Sequence, residues 1–334
     1  MKFEDVLTIK NGKNQKAVEN PTGKYPIYGS GGVMGYADDY ICNANTVIVG
    51  RKGSINNPIF VEEPFWNVDT AFGLEAKLDV LLPRYLYYFC KHFDFERLNK
   101  AVTVPSLTKG DLLKIDIDLP TIDEQQSIID KLLGIEDSIT LRQQELQKLD
   151  ELIKARFVEM FVDKGYTEKT VHEVLHAGFW LMPATPKYVE NGSVPYITSK
   201  NIKNRQIDFD NVKYITEEAF ESISANRPTS VGDILISMIG TLGQTAVISD
   251  DRKFYGQNLY LLRLNNQIVN TDYFCEFFNS DEIQHILQGK CNQSTQAYLK
   301  ANHVEDLVLP VPPMEEQERF ADFVKQVDKS KFVD

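Results

Sequence analysis

The chain has 334 residues, 43% of them apolar, with 36 Lys and Arg against 48 Asp and Glu for a formal net charge of -12. That length exceeds one average core and fits two domains plus connecting helices, while the acidic balance counts against sequence-blind nucleic-acid binding, which is mostly phosphate neutralisation. No run of eighteen apolar residues occurs, Met1 is followed by a charged segment, and four scattered cysteines (Cys42, Cys90, Cys275, Cys291) have no paired spacing. The expectation is a cytoplasmic protein with reduced thiols, no membrane span, no signal peptide and no cofactor.

In chain order, residues 1 to about 119 read as a first globule of strands and glycine-rich turns. Tyr25 to Tyr36 (YPIYGSGGVMGY) is turn-rich, and Thr46 to Gly50 (TVIVG) is a buried strand leading into Arg51, Lys52, Gly53 and Ser54. Pro83 to Phe93 switches to helical spacing, and Leu107 to Leu119 returns to strand alternation through Leu113, Ile115 and Ile117.

Residues 120 to 161 predict one long helix. Its opening, LPTIDEQQSI from Leu119, puts a proline before the first turn and Asp123 and Glu124 in it, where the helix dipole favours negative charge. Apolar residues then step by four and three through Ile128, Leu132, Ile135, Ile139, Leu146, Leu149, Ile153 and Met160, with Arg142 and Arg156 interrupting. A 3.5-residue period predicts a coiled-coil helix packed on a partner, about 38 residues of it spanning roughly 57 Å at 1.5 Å per residue.

Residues 162 to 311 predict a second globule that repeats the first. Gly232 to Leu242 lies 187 positions after Asn45 to Ile55, Tyr273 lies 188 after Tyr85, and Leu299 to Leu309 lies 192 after Leu107 to Ile117. A second copy of the helix opening, VPPMEEQERF from Val311, also comes 192 residues after the first and starts a short helix over 312 to 334. Shared cores with dissimilar loops, separated by a stiff helix, describe a two-part reader whose spacing is fixed. The fold class expected is therefore α+β, two similar domains joined by long antiparallel coiled-coil helices with an internal pseudo-two-fold repeat.

The paired signatures LPTIDEQQSI and VPPMEEQERF, the strand motif TVIVGRKGSI with its counterpart DILISMIGTL, and the order globule, helix, globule, helix resemble the specificity subunits of type I restriction-modification systems. The resemblance covers nearly the whole chain. It implies that the two similar domains are target-recognition domains of a non-catalytic subunit that binds the two halves of an interrupted double-stranded DNA target and docks methyltransferase subunits and restriction (motor-nuclease) subunits. One departure is the second helix, which in the family usually matches the first in length and here reads as truncated. Antiparallel pairing would cover only the end near Leu146 to Met160, leaving Ile128, Leu132, Ile135 and Ile139 for another subunit or a second copy. The interface candidates are therefore Ile128, Leu132, Ile135, Ile139, Leu146, Leu149 and Ile153.

DNA-contact candidates are polar and basic loop residues able to bond base edges or neutralise phosphate. In the first globule these are Arg51, Lys52, Ser54, Thr103, Ser106 and Lys109. In the second they are Lys200, Asn201, Lys203, Asn204, Arg205, Gln293, Ser294, Thr295, Gln296 and Lys300. Two other classes stay open: a zinc hydrolase using His172, Glu173 and His176, which match the two-histidine helical pattern, and a coiled-coil interaction protein without DNA binding. Against the first, the repeat sets Phe3 to Leu7 opposite Val171 to Leu175 at an offset of 168, so Glu4 falls where His172 stands.

Overall fold

The computed structural model describes residues 1–100, 104–181, 186–203, 205–291 and 297–331. The chain divides into two compact units, Met1–Arg142 and Gln143–Asp334, and the division falls inside one helix.

Unit 1 begins with a helical turn α1 (Phe3–Val6), followed by strands β1 (Leu7–Asn11), β2 (Tyr25–Gly29), β3 (Gly32–Ala37), β4 (Thr46–Gly50), β5 (Ile59–Val61), β6 (Trp66–Asn67) and β7 (Ala71–Ala76). Helices α2 (Pro83–His92), α3 (Lys109–Leu112) and the first part of the 40-residue α4 (Ile122–Phe161) follow, and α4 continues into unit 2. An antiparallel sheet runs β1-β7-β4-β5, and a second sheet runs β3-β2-β6 with β2 and β6 parallel. All five residues of β4 are buried, which explains its unbroken apolar run: both faces lie against core.

Unit 2 contains β8 (Thr167–Thr170), β9 (Leu175–Leu181), β10 (Val194–Ile197), β11 (Ile202–Lys203), β12 (Gln206–Ile207) and β13 (Lys213–Ile215). After α5 (Glu217–Ser224) come β14 (Ile234–Ser237), β15 (Thr245–Val247), β16 (Tyr255–Gly256) and β17 (Leu259–Leu264). It ends in α6 (Thr271–Phe278), α7 (Asp281–Lys290), α8 (Ala301–Glu305), β18 (Val308–Val311) and α9 (Met314–Ser330). Its main sheet, β15-β14-β17-β9, has the order of β5-β4-β7-β1, and β10 pairs parallel with β16 as β2 does with β6. The internal repeat read in the sequence is a repeat of topology.

The doubled helix signature has a structural cause in its glutamine, which is fully buried in both copies. Gln125 Oε1 accepts the Leu82 N–H at 2.9 Å, and its Nε2 donates to the carbonyls of Val80 (2.9 Å) and Pro120 (3.0 Å). Gln317 repeats this pattern, accepting from Asn270 N–H at 2.9 Å and donating to Ile268 (3.1 Å) and Pro312 (2.8 Å). One side-chain amide thus ties three backbone segments together: the turn before α2 or α6, the chain just ahead of α4 or α9, and the long helix itself. A tyrosine reinforces the joint, with Tyr85 Oη donating to Asp118 O at 3.1 Å and Tyr273 Oη to Pro310 O at 2.7 Å.

Two expectations need correction. Leu107 to Leu119 forms no continuous strand. Thr108 caps α3, its Oγ1 accepting the Asp111 N–H at 3.1 Å, and Ile115 and Ile117 reach the core from irregular backbone. The second concerns the interface candidates on α4, which divide along the helix. In unit 1 the buried face of α4 carries Gln125 and Ile129, with Glu136 accepting from Tyr88 Oη at 2.8 Å, while Ile128, Ile135 and Ile139 are 36%, 54% and 53% exposed. In unit 2 the end of α4 packs antiparallel on α9: Phe157 and Phe161 lie 5.6 and 5.4 Å from Phe320, and Lys331 Nζ reaches Asp150 at 2.7 Å. Ile153 is buried at 2% in this core and Leu149 packs on it, so both are occupied within the chain and are withdrawn as inter-subunit contacts.

Candidate nucleic-acid interface

In each unit the segment after the central strand runs beside a second segment more than fifty residues on in sequence. In unit 1, Leu107 N donates to Arg51 O at 2.9 Å, Gly53 N donates to Pro105 O at 3.1 Å, and Lys52 and Ser106 form a β-bridge. In unit 2, Leu299 N donates to Met238 O at 2.9 Å, and Ile239 bridges Tyr298. A third segment joins both clusters. Side chains built at Gly53 and Gly240 would begin 3.9 and 3.5 Å from the hydroxyls of Ser30, the first residue after β2, and Ser199, the second after β10. Both glycines have positive φ, +80° and +85°, so the turn itself requires them.

The first cluster brings Arg51, Lys52, Ser54 and Ser106 together, with Lys109 opening α3 three residues on. Arg51 lies over the Phe72 ring at 5.8 Å and donates to Asp69 O at 3.4 Å. Lys109 Nζ donates to Ile9 O at 2.8 Å, so it closes the fold, whereas Lys52 makes no ion pair among the described residues. Thr103 lies outside the described residues.

In the second cluster Lys200 and Lys300 are exposed cations without an ion pair among the described residues. Asn201 is consumed locally: its Oδ1 accepts the Thr198 N–H at 2.9 Å and its Nδ2 donates to Asp208 O at 3.0 Å. Lys203 is clasped by Asp208 at 2.6 Å, which raises the ammonium pKa and holds the carboxyl below its usual range. Arg205, at the tip of the β11–β12 hairpin with φ +63°, makes a two-pronged ion pair with Glu276, a carboxylate only 5% exposed. Asn204, Gln293, Ser294, Thr295 and Gln296 lie outside the described residues.

The zinc pattern fails on geometry. His172–Val174 is a single 3-10 turn and Leu175 opens β9, so His172 and His176 do not share a helix face. Glu173 instead accepts from the Thr170 N–H at 2.8 Å, as Asp5 accepts from the Lys2 N–H at 3.1 Å in unit 1. Among the described residues no group of three His, Cys, Asp or Glu could hold a metal ion. Cys42, Cys90 and Cys275 are buried, and desolvation pushes the Cys42 thiol up to about 12, the chemistry of packing residues rather than nucleophiles.

The sequence model of the type I restriction modification DNA specificity domain matches residues 1–151 and again 163–332. This chain belongs to that family. As a specificity chain it recognises DNA sequence and is not itself an enzyme. A Haemophilus influenzae protein provisionally named a type I restriction enzyme specificity subunit is 24% identical over 344 residues, covering 98% of this chain and 86% of the relative. The MjaVIII specificity subunit of Methanocaldococcus jannaschii is 20% identical over 324 residues, covering 87% and 74%. A crystal structure of the type I S subunit from M. genitalium shares the fold, with a TM-score of 0.60 at 18% identity over 99% of this chain and 89% of that one. Each matched span of this specificity chain carries one three-segment cluster.

Reasoning from sequence missed Ser30 and Ser199, which anchor the third segment of each cluster. The signal was present in Pro26 and Ser30 against Pro195 and Ser199, one proline and one serine at the same offset of 169, inside turn-rich stretches too dissimilar otherwise to align.

Proposed function

We propose that each unit reads one half of an interrupted duplex target, that α4 sets the distance between the halves, and that the chain acts in the cytoplasm as part of a type I complex. The observation that carries this is the duplicated cluster: one backbone arrangement, built twice, exposes Arg51 and Lys52 beside Ser106 in one copy, where the other has the core residue Met238, the half-buried Ile239 and Tyr298. Identical scaffolds with different contact residues suit two different short sequences. The exposed cations Lys52, Lys200 and Lys300 supply phosphate contacts, and their small number fits an acidic chain that binds selectively.

The open stripe Ile128, Ile135 and Ile139 is proposed as the docking face for a methyltransferase subunit of the complex. Its repeat-equivalents on α9 support this: Phe320 and Val327 correspond to Ile128 and Ile135 and are 0% and 6% exposed, because helix α4 covers them. A face built to the same plan and left open needs a covering partner. The restriction subunit is assigned to the same assembly.

Methylome sequencing of a host carrying this chain with its methyltransferase tests the reading. The expected result is an interrupted motif with two unlike halves; a continuous motif, or methylation indifferent to sequence, overturns it.

A further inference from the structure

Unit 1 carries an apolar feature that neither its core nor its cation cluster explains. The β2–β3 hairpin exposes Val33 at 54%, Met34 at 62% and Tyr36 at 47%, and β3 is the outer strand of its three-stranded sheet. Residues 18–20 already pair with the end of β3, Asn20 N–H donating to Tyr36 O at 2.9 Å and Asp38 N–H to Val18 O at 3.1 Å, so the apolar surface left in water is that of Val33 and Met34 near the tip, and such surface marks a contact. The ribbon's tip is also stripped of side chains: Gly31 and Gly32 have open space around them, and Gly32 sits at φ +122°. Gly29 gives Met34 its seat, since a side chain there would begin 2.6 Å from the Met34 sulfur.

What lies beside the tip identifies the occupant. Ser30 touches the turn that bears Arg51 and Lys52: side chains built at Gly50 and Gly53 would begin 3.1 Å from Ser30 Cβ and 3.9 Å from Ser30 Oγ. Two carboxylates flank the ribbon: Glu19 beside Gly35, toward its base, and Glu63 near Tyr28 of β2, whose hydroxyl pKa is raised by burial and by that carboxylate. An apolar, narrow, two-stranded ribbon flanked by cations matches the major groove, which admits such a ribbon and presents thymine methyl groups between two rows of phosphates. A protein strand added to β3 would have no use for the adjacent Arg51 and Lys52.

Resting on the reading of the two units as half-site readers, we infer that the β2–β3 hairpin is the base-contacting ribbon of unit 1, with Val33 and Met34 packing on thymine methyl groups. Unit 2 differs in kind. The strand that pairs with β10 as β3 pairs with β2 is β13, which exposes Lys213 and Tyr214 rather than a pair of apolar side chains like Val33 and Met34. The half-site of unit 1 contains thymine at the contacted positions.

The test uses the full chain with its methyltransferase and duplexes carrying the mapped target. Replacing thymine by deoxyuridine removes only the 5-methyl group, and in the half-site of unit 1 this lowers affinity by about fourfold for each methyl contacted. The Val33→Ala and Met34→Ala variants lose that discrimination and relax one half-site while keeping the other, and the kept half-site reports intact folding. Val33→Thr, which preserves shape at an exposed position, gives the same partial loss should an alanine variant fold poorly. A half-site without thymine, an unchanged response to deoxyuridine, or variants that keep both half-sites overturn the inference. So do variants that lose co-purification with the methyltransferase but keep specificity, which would make the ribbon a protein contact. An uninterrupted or absent motif in the wild type would instead reject the two-reader proposal itself.

Discussion

At the scale of single residues, partners decide which cations can meet phosphate. Lys203 and Arg205 carry charge in the sequence, yet Asp208 and Glu276 already neutralise them, while Lys52 and Lys200 make no ion pair among the described residues. Each phosphate contact contributes about 0.9 to the slope of log affinity against log salt. Lys52→Ala and Lys200→Ala are therefore expected to reduce that slope by about 0.9 each in DNA-binding titrations of the assembled complex. Lys203→Ala is expected to change it much less. Equal slope changes for all three would show that the Lys203–Asp208 pair opens on DNA. The buried glutamines are the other residues on which much depends. Gln125→Leu leaves the Leu82 N–H and two carbonyls without their partner, and an unsatisfied buried group costs about 1–3 kcal/mol. Urea unfolding is expected to show a loss of about 3 kcal/mol, and Gln317→Leu a similar one, since its bonds are the same in kind.

At the scale of elements, α4 and α9 start alike and end in different surroundings. Both open with a proline, an acidic first turn and a glutamine that locks onto the globule, and both then present an apolar stripe. In α9 that stripe meets Phe157 and Phe161; in α4 the equivalent residues face outward. The same substitution at equivalent positions therefore has opposite consequences. Val327→Glu places a charge at a 6% exposed position and is expected to cost about 3 kcal/mol or more in denaturant unfolding. Ile135→Glu, at 54% exposed, is expected to change stability by less than about 0.5 kcal/mol while abolishing co-purification with the methyltransferase. Retained co-purification would remove the stripe from the docking face.

At the scale of the whole molecule, one topology built twice on an acidic chain limits DNA binding to selected places. The repeat was legible because core positions obey physics that recurs: β4 and β14 must both be apolar and both must turn on a left-handed glycine, Gly53 and Gly240. The glutamine that closes each helix start was visible as a letter, and the signature around it carried the family resemblance. The loops were legible only as composition, because nothing in their order shows which cation has an acid within reach. Lys109, Asn201, Lys203 and Arg205 looked as available as Lys52, and folding engaged all four elsewhere.

By itself, then, the sequence determined two similar globules, a long helix and the paired helix starts, since these follow from periodicity, capping and an unmistakable repeat. Only tertiary structure decided which face of α4 is covered, that the Leu107 to Leu119 stretch bends through a capped turn, and that an apolar hairpin stands beside Arg51 and Lys52. Each of these depends on residues far apart in the chain meeting in space, and a one-dimensional pattern carries spacing along the backbone but not which partner a side chain will find.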